Sequence, residues 1–207
     1  MTRKRKIMVN IGIVFGLTLL VWIVLSVIVG RKGVEKVVTV GEINTQYKAL
    51  ILYNPDPIYD LDNQITRAFA AGLSENGWGS KIATVAAFDR VKNESYDLYV
   101  FCANTYNWSP DRVLKDHIKN SNYLKGKNVI AITLGSGSTK RSKHILERLI
   151  IDKKAILIDS RTFWLMKPND QLAKGRSNIK TAINLANSFG KEIAEQIKEN
   201  NRELLKQ

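Results

Sequence analysis

Residues 7–29 form an apolar run in which Asn10 is the most polar residue. Roughly 20 helical residues span the hydrocarbon core of a bilayer, whereas the apolar part of a cleavable signal peptide is usually about 7 to 15 residues long. The run therefore predicts a permanent transmembrane helix. A long signal sequence cleaved near Gly30 is the alternative, and the bulky Ile28 two positions before that point argues against it.

Basic residues flank this run on both sides. Residues 3–6 are all Lys or Arg, and Arg31, Lys32 and Lys36 follow the run. Because cytoplasmic flanks carry more Lys and Arg, the small excess before the run predicts a cytoplasmic N-terminus and a soluble part outside the cytoplasm, and the cytoplasmic face stays open as the alternative. We divide the chain into a basic tail (1–6), a transmembrane helix (7–29), a linker (30–47) and one domain (48–207).

Composition restricts the partners and the means of stabilisation. The single cysteine, Cys102, excludes an intramolecular disulfide, so a hydrophobic core must hold the domain together. Part of the formal net charge of +13 lies beside the apolar run, where Lys and Arg are attracted to anionic lipid headgroups. No basic stripe interleaved with aromatic residues is present, so we expect the lipid bilayer as a partner and no nucleic acid.

Short apolar runs alternate with amphipathic segments after the linker. The helix after the first run has Asp62 as its expected N-cap, and the helix after the third run is expected to start at 109–111, where Ser caps and Pro fits the first turn. Parallel strands joined by right-handed crossover helices form a sheet that is covered on both faces, which predicts an α/β fold. The predicted strands are 48–53, 81–87, 96–103, 128–134 and 155–158.

Two segments, YDLYVFCANTYNWSPDRVLKDHI (96–118) and LKGKNVIAITLGSG (124–137), resemble the flavodoxin-like family. The motifs are Asp97-Leu98 at the start of the third strand, Thr105-Tyr106 in the loop after it, and the glycines that follow the fourth strand. The resemblance covers about residues 48–197. It implies a three-layer sandwich with a five-stranded parallel sheet in the order 2-1-3-4-5, and a flavin mononucleotide (FMN) cofactor whose ring lies beside the Thr105-Tyr106 loop.

Loops at the carboxyl ends of the first, third and fourth strands of such a sheet converge on the crevice where the strand order reverses. Aromatic side chains in these loops can stack on a ring, amide and hydroxyl groups can bond to its edge, and glycines allow backbone amides to approach it. Packing of Trp108 under the next helix is an equal alternative to stacking. The predicted cofactor-binding residues are Asn54, Tyr59, Asn104, Thr105, Tyr106, Asn107, Trp108, Gly135, Ser136 and Gly137.

The first of these loops, NPDPIYD (54–60), departs from the family pattern. A flavodoxin phosphate loop is rich in Ser, Thr and Gly, whose hydroxyls and amides surround the phosphate. The two prolines here supply no amide donors, and Asp56 and Asp60 repel a dianion unless they are turned away. This loop therefore leaves FMN binding open.

Other chemistry has weaker support in the sequence. His117 and His144 fall in predicted helices without partners at metal-ligand spacing, so we expect surface residues, and no metal site is assigned. Residues 135–139 fit either an anion-binding nest or an ordinary loop. Residues 161–164 follow the fifth predicted strand and are expected to cover the site or to pack on the last helix. No nucleophile motif of the G-x-S-x-G type is present, and Cys102 lies at a strand end.

The leading interpretation is a membrane-anchored flavodoxin-like protein whose FMN passes electrons to or from a redox partner protein or a small acceptor. Because the cofactor supplies that chemistry, no catalytic residue is assigned, and an oxidoreductase and an electron carrier both remain open. The alternative is a cofactor-free binding or assembly module at the membrane, and loop 54–60 discriminates between the two. Hydrolysis or transfer on a phosphorylated ligand lacks a recognisable nucleophile.

Overall fold

The computed structural model describes residues 3–42, 44–172 and 177–204. The chain divides into two compact units, Met1–Arg31 and Lys32–Gln207. The first unit consists of helix α1, Arg3–Val29. Its section Lys6–Val29 has a mean hydropathy of 2.8 and is long and apolar enough to span a bilayer, a property it shares with signal sequences. The membrane side of the second unit stays a prediction.

The second unit is an α/β sandwich built on one sheet. Its helices are α2 (Leu61–Ser74), α3 (Arg112–Asn120), α4 (Lys140–Asp152) and α5 (Asn178–Leu204), with a 3-10 helix at Val85–Arg90. Its strands are β1 (Val37–Val40), β2 (Tyr47–Tyr53), β3 (Trp78–Thr84), β4 (Leu98–Tyr106), β5 (Ser109–Pro110), β6 (Asn128–Gly135) and β7 (Ile156–Trp164). The sheet order is β1-β3-β2-β4-β6-β7, and β5 pairs with β4. The parallel core β3-β2-β4-β6-β7 confirms the predicted order 2-1-3-4-5.

Two strands extend this sheet beyond the prediction. Strand β1 lies within the segment expected as a linker (30–47) and pairs antiparallel with β3, with Val37 opposite Ala83. Strand β5 returns along β4 as a hairpin, with Thr105 opposite Pro110. The expected helix start at Ser109 is therefore wrong. Asp111 caps α3 instead, because its Oδ1 accepts a hydrogen bond from the Leu114 amide at 2.9 Å.

Both faces of the sheet are covered, which produces three layers. One buried cluster joins the sheet to α2 and α5, and the other joins it to α3, α4 and the 3-10 helix. Strand β2 contributes Ile51 to the first cluster and Leu52 to the second, as expected for a strand that is buried on both faces. Helices α2 and α5 approach so closely that a Cβ on Gly72 would lie 2.0 Å from the Asn187 carbonyl oxygen.

Candidate functional site

Three segments follow neighbouring strands at the carboxyl edge of the sheet, where the strand order reverses between β2 and β4. They are the first loop (residues 54–60) after β2, the β4–β5 hairpin (residues 104–111), and the fourth loop (residues 136–139) after β6. The ten predicted cofactor-binding residues lie in these segments or, for Gly135, at the end of β6. The fold therefore brings the predicted residues to one edge, as expected.

The carboxylate of Asp56 accepts hydrogen bonds from backbone amides of the first loop. Its Oδ1 accepts hydrogen bonds from the amides of Ile58 (2.7 Å) and Tyr59 (2.9 Å), and its Oδ2 accepts one from the Tyr106 hydroxyl (2.6 Å). Burial and this hydrogen bond to Asp56 raise the pKa of Tyr106, so the phenol keeps its proton and remains a donor. The loop thus closes around an anion that belongs to the chain itself.

A second carboxylate, Asp62, lies beneath the loop. It is buried in the first turn of α2, and its Oδ2 accepts from the Asp56 amide (2.6 Å) and from Asn104 Nδ2 (2.8 Å). Burial raises its pKa to about 6, although these hydrogen bonds act in the opposite direction. The expectation that Asp62 is the N-cap of α2 is wrong, because Asp60 occupies that position.

The two predicted asparagines are buried and bond within the protein. Asn54 Oδ1 accepts from the Gly33 amide at 3.0 Å, and Asn104 Nδ2 donates to the Asn54 carbonyl oxygen at 3.2 Å. The carbonyl oxygen of Asn104 also accepts from the Asp111 amide at 2.8 Å. These contacts tie β2, β4 and the start of α3 together, so both side chains hold the edge of the sheet in shape.

The tip of the hairpin presents an indole to solvent. Asn107 and Trp108 have φ angles of +49° and +58°, the left-handed pair that a tight two-residue hairpin requires. Trp108 is 58% exposed, so it does not pack under α3, and the packing alternative is wrong. Tyr59 in the first loop is also 46% exposed.

The glycines around the fourth loop accommodate the protein's own side chains. A Cβ on Gly135 would lie 2.6 Å from Thr139 Cγ2 and 3.1 Å from Thr105 Cβ, whereas a Cβ on Gly137 would make only an ordinary contact with Lys167 at 3.5 Å. The Ser136 carbonyl oxygen accepts from the amides of Met166 and Lys167, at 3.2 Å and 3.0 Å. The close approach at Gly135 is therefore an internal packing requirement.

A basic pocket that the sequence analysis did not predict lies beyond the fourth loop. Its volume is about 620 Å³, and it is bounded by the fourth loop, the start of α4 and the end of β7. Its cationic lining residues are Lys140, Lys143, Arg161 and Lys167. The segment 161–164 belongs to β7, where Phe163 packs in the cluster with α5 and Trp164 lines the pocket. The feature of the sequence that could have indicated this pocket is the group of basic residues at the start of α4.

Other reactive side chains serve the core or the surface. Cys102 is fully buried in the core, and this burial raises the pKa of its thiol well above the ordinary value, which makes the thiol unreactive. His117 is partly buried among aromatic rings, with Nε2 2.7 Å from the Tyr123 hydroxyl, and burial lowers its pKa to about 4. The surface position expected for His117 is therefore wrong, whereas His144 is exposed. Among the described residues no group of three His, Cys, Asp or Glu side chains is placed to hold a metal ion.

The first loop does not fit the phosphate of FMN. A phosphate in a flavodoxin-like loop is held by free amides and hydroxyls at a helix start. Here the amides of Asp56, Ile58 and Tyr59 already donate to carboxylates, and Pro55 and Pro57 have no amide hydrogen. A phosphate dianion would have to displace one carboxylate and remain beside two others, which is electrostatically unfavourable.

Comparison with known proteins identifies the fold through structure alone. No family model and no curated protein sequence matches the chain. A WrbA-like flavodoxin from Agrobacterium tumefaciens superposes with a TM-score of 0.55 at 12% identity, covering 74% of this chain and 99% of that one. Oxidised flavodoxin 2 from Bacillus cereus gives 0.51 at 17% identity, covering 70% and 99%. The flavodiiron protein from Giardia intestinalis gives 0.54 at 16% identity, covering 76% and 38%. The second unit, Lys32–Gln207, therefore has the flavodoxin-like fold that the sequence predicted.

Proposed function

We propose that this protein is a membrane-anchored binding module with a flavodoxin-like fold that works without FMN in its first loop. The observation that carries this proposal is the position of the Asp56 carboxylate, which accepts hydrogen bonds from two loop amides and from the Tyr106 hydroxyl. An incoming phosphate would exchange one anion for another at these donors and would gain no new hydrogen bond there. Loop 54–60 was the feature expected to decide between the two interpretations, and its geometry favours the cofactor-free one.

The charge of the first loop supports the same proposal. Asp56, Asp60 and Asp62 lie within seven residues, and the nearby Arg67 donates its Nε hydrogen bond to Asn63 Oδ1 at 3.0 Å. Like charges that share a site repel one another and any added anion. Burial, and to a smaller extent the charge of Asp56, raises the pKa of Asp62. Tight binding of a dianion would require this whole network to be rebuilt.

The N-terminal helix supports a location at a membrane. Lys6–Val29 has the length and composition of a bilayer span. The small excess of basic residues before it supports a module outside the cytoplasm in this proposal. On that side, a cytoplasmic nicotinamide donor would have no access to the domain, which also favours a binding role over electron transfer.

Flavin-dependent electron transfer is the second candidate, and one specific observation favours it. Trp108 in the hairpin and Tyr59 in the first loop are exposed, and both segments follow the strands between which the sheet order reverses, where this fold binds ligands. Both aromatic side chains are available to stack on a ring. In this case the flavin would supply the redox chemistry, and the partner would be a redox protein or a small acceptor.

The test is the flavin content of the full-length chain, purified in a neutral detergent after riboflavin supplementation and gel filtration. A colourless, folded protein that also fails to bind added FMN is the expected result. Bound flavin at one equivalent per chain would overturn the proposal and favour the second candidate. The variant Asp56→Ser frees the loop amides, and Asp60→Ser is its matched control because it removes the same charge. Gain of FMN binding in Asp56→Ser alone would identify the carboxylate as the block.

A further inference from the structure

We propose that the basic pocket binds a small ligand that carries a phosphate group or a comparable multiply charged anion. This inference rests on the proposed function of a binding module and names the ligand class. The volume of about 620 Å³ is the size of a small-molecule site, for which the usual range is about 300–1,000 Å³. The pocket lies on the β6–β7 side of the fourth loop, away from the first loop and its carboxylates.

The positive charge of the pocket is only partly neutralised. Arg161 pairs with Asp159 and Glu192, and Lys143 Nζ donates to the Ser160 carbonyl oxygen at 2.9 Å and lies 3.7 Å from Glu147. Lys140 and Lys167 form no ion pair with any residue that the structure describes.

No Asp or Glu appears in the described lining of the pocket. The ammonium groups of Lys140 and Lys167 therefore remain available to an anion.

The start of α4 favours an anion at the same place. Its first four residues are Lys140, Arg141, Ser142 and Lys143, so three cations stand at the positive end of the helix dipole. Cations at this end are unfavourable, whereas a bound anion there is favourable. The Thr139 hydroxyl makes no capping hydrogen bond to the helix and accepts one from Trp164 Nε1 at 2.9 Å. An external anion would satisfy both the cations and the uncapped amides.

Hydrogen bonds hold the wall of the pocket in place. Asn178 Nδ2 donates to the carbonyl oxygens of Trp164 (2.9 Å), Leu165 (3.0 Å) and Lys167 (2.9 Å). The amide of Lys167 donates to the Ser136 carbonyl oxygen. Lys167 Nζ lies 4.4 Å from the centroid of the Trp164 ring, which positions the ammonium group at the pocket. A preorganised wall lowers the entropic cost of binding.

The experiment is a titration of the full-length chain in neutral detergent with inorganic pyrophosphate at constant ionic strength. Binding is followed by calorimetry and by tryptophan fluorescence. We expect saturable binding that is weakened by about tenfold or more in Lys140→Met/Lys167→Met, because this variant removes the two lining ammonium groups that pair with no described carboxylate. Lys125→Met is the matched control, since this exposed lysine lies in the turn before β6, and it should bind as the unaltered protein does.

The results separate this inference from the proposed function. Absence of saturable pyrophosphate binding, or equal binding by the double variant, would overturn the inference while leaving the flavin result unchanged. Dihexanoyl phosphatidic acid, a water-soluble phospholipid, is then tested for displacement of pyrophosphate. Displacement at lower concentration than inorganic phosphate supports a lipid headgroup as the source of the anion, and the reverse order supports a soluble phosphate ester.

Discussion

Replacement of Asp56 by alanine tests whether this carboxylate organises the carboxyl edge of the sheet. The substitution removes the acceptor for two backbone amides of the first loop and for the Tyr106 hydroxyl. We expect the unfolding free energy to fall by about 3 kcal/mol, because a hydrogen bond to a charged group contributes about 1.5–3 kcal/mol when it is partly buried and about 0.5 kcal/mol when water can replace it. The Tyr106 bond is of the first kind, and the two amide bonds in the exposed loop are of the second.

Urea unfolding of Lys32–Gln207, followed by tryptophan fluorescence, is the assay. This unit contains both hydrophobic clusters, so it holds the core that the transition reports. The urea midpoint should fall while the slope m stays constant, because the surface exposed on unfolding does not change. Asp60→Ala is the control, since the Asp60 side chain accepts only a 3.2 Å bond from Asn63 Nδ2 among the described contacts. This substitution should change stability by less than about 0.5 kcal/mol. A loss in Asp56→Ala no larger than that of the control would refute the reasoning.

Three further outcomes can be measured on the same unit. Gly135→Ala should lose about 1–3 kcal/mol of unfolding free energy from overpacking, whereas Gly137→Ala should lose almost none, as compared by urea midpoints. Gly72→Ala should cost at least as much as Gly135→Ala and broaden or abolish the cooperative transition, because its Cβ would meet backbone of α5. Burial raises the pKa of Asp62 from 3.8 to about 6, so the folded state binds this proton more tightly than the unfolded state does. The protonated carboxyl therefore stabilises the fold below pH 4, and this contribution is lost as the pH rises through 6. Asp62→Asn should therefore reduce the change in unfolding free energy between pH 4 and 7 by about 2 kcal/mol relative to the unaltered protein. The same pH dependence in both proteins would contradict the assignment.

The strands that were predicted best are those whose own residues form an apolar run, so that no distant part of the chain is needed to recognise them. The run 128–134 is apolar on every residue but two and becomes β6, which is buried on both faces. Strand β1 was missed because four residues, Val37–Val40, are a strand only through pairing with β3, whose partner residues lie 40 to 46 positions further along the chain. The C-terminal ends of β4 and β7 were missed for the same reason, since the residues beyond the predicted ends pair with β5 and β6.

The site was harder to predict than the fold because its key contacts are long-range. The sequence identified Asp56 as a residue that repels phosphate unless it turns away, but it gave no sign that the carboxylate turns inward. That conformation depends on Tyr106, which lies 50 residues further along the chain. The position of Asp62 depends in the same way on Asn104, 42 residues away. The basic pocket combines the fourth loop, α4 and β7, and only the crossover between β6 and β7 brings their cations together.

The charges around the two helix N-termini at the carboxyl edge of the sheet are opposite in sign. Helices α2 and α4 both begin at this edge, so each presents the positive end of its dipole there. At α2 the positive end faces the chain's own carboxylates, Asp56 and Asp62, whereas at α4 it is surrounded by Lys140 and other cations. From these charges we expect the potential along the edge to run from negative beside β2 to positive beside β7. On the proposal above, a small anion is then directed away from the crevice between β2 and β4 and toward the basic pocket. The double variant Lys140→Met/Lys167→Met should weaken pyrophosphate binding more than Asp56→Ala does. Equal changes in pyrophosphate affinity in the two variants would show that this separation of charge does not direct the anion to the pocket.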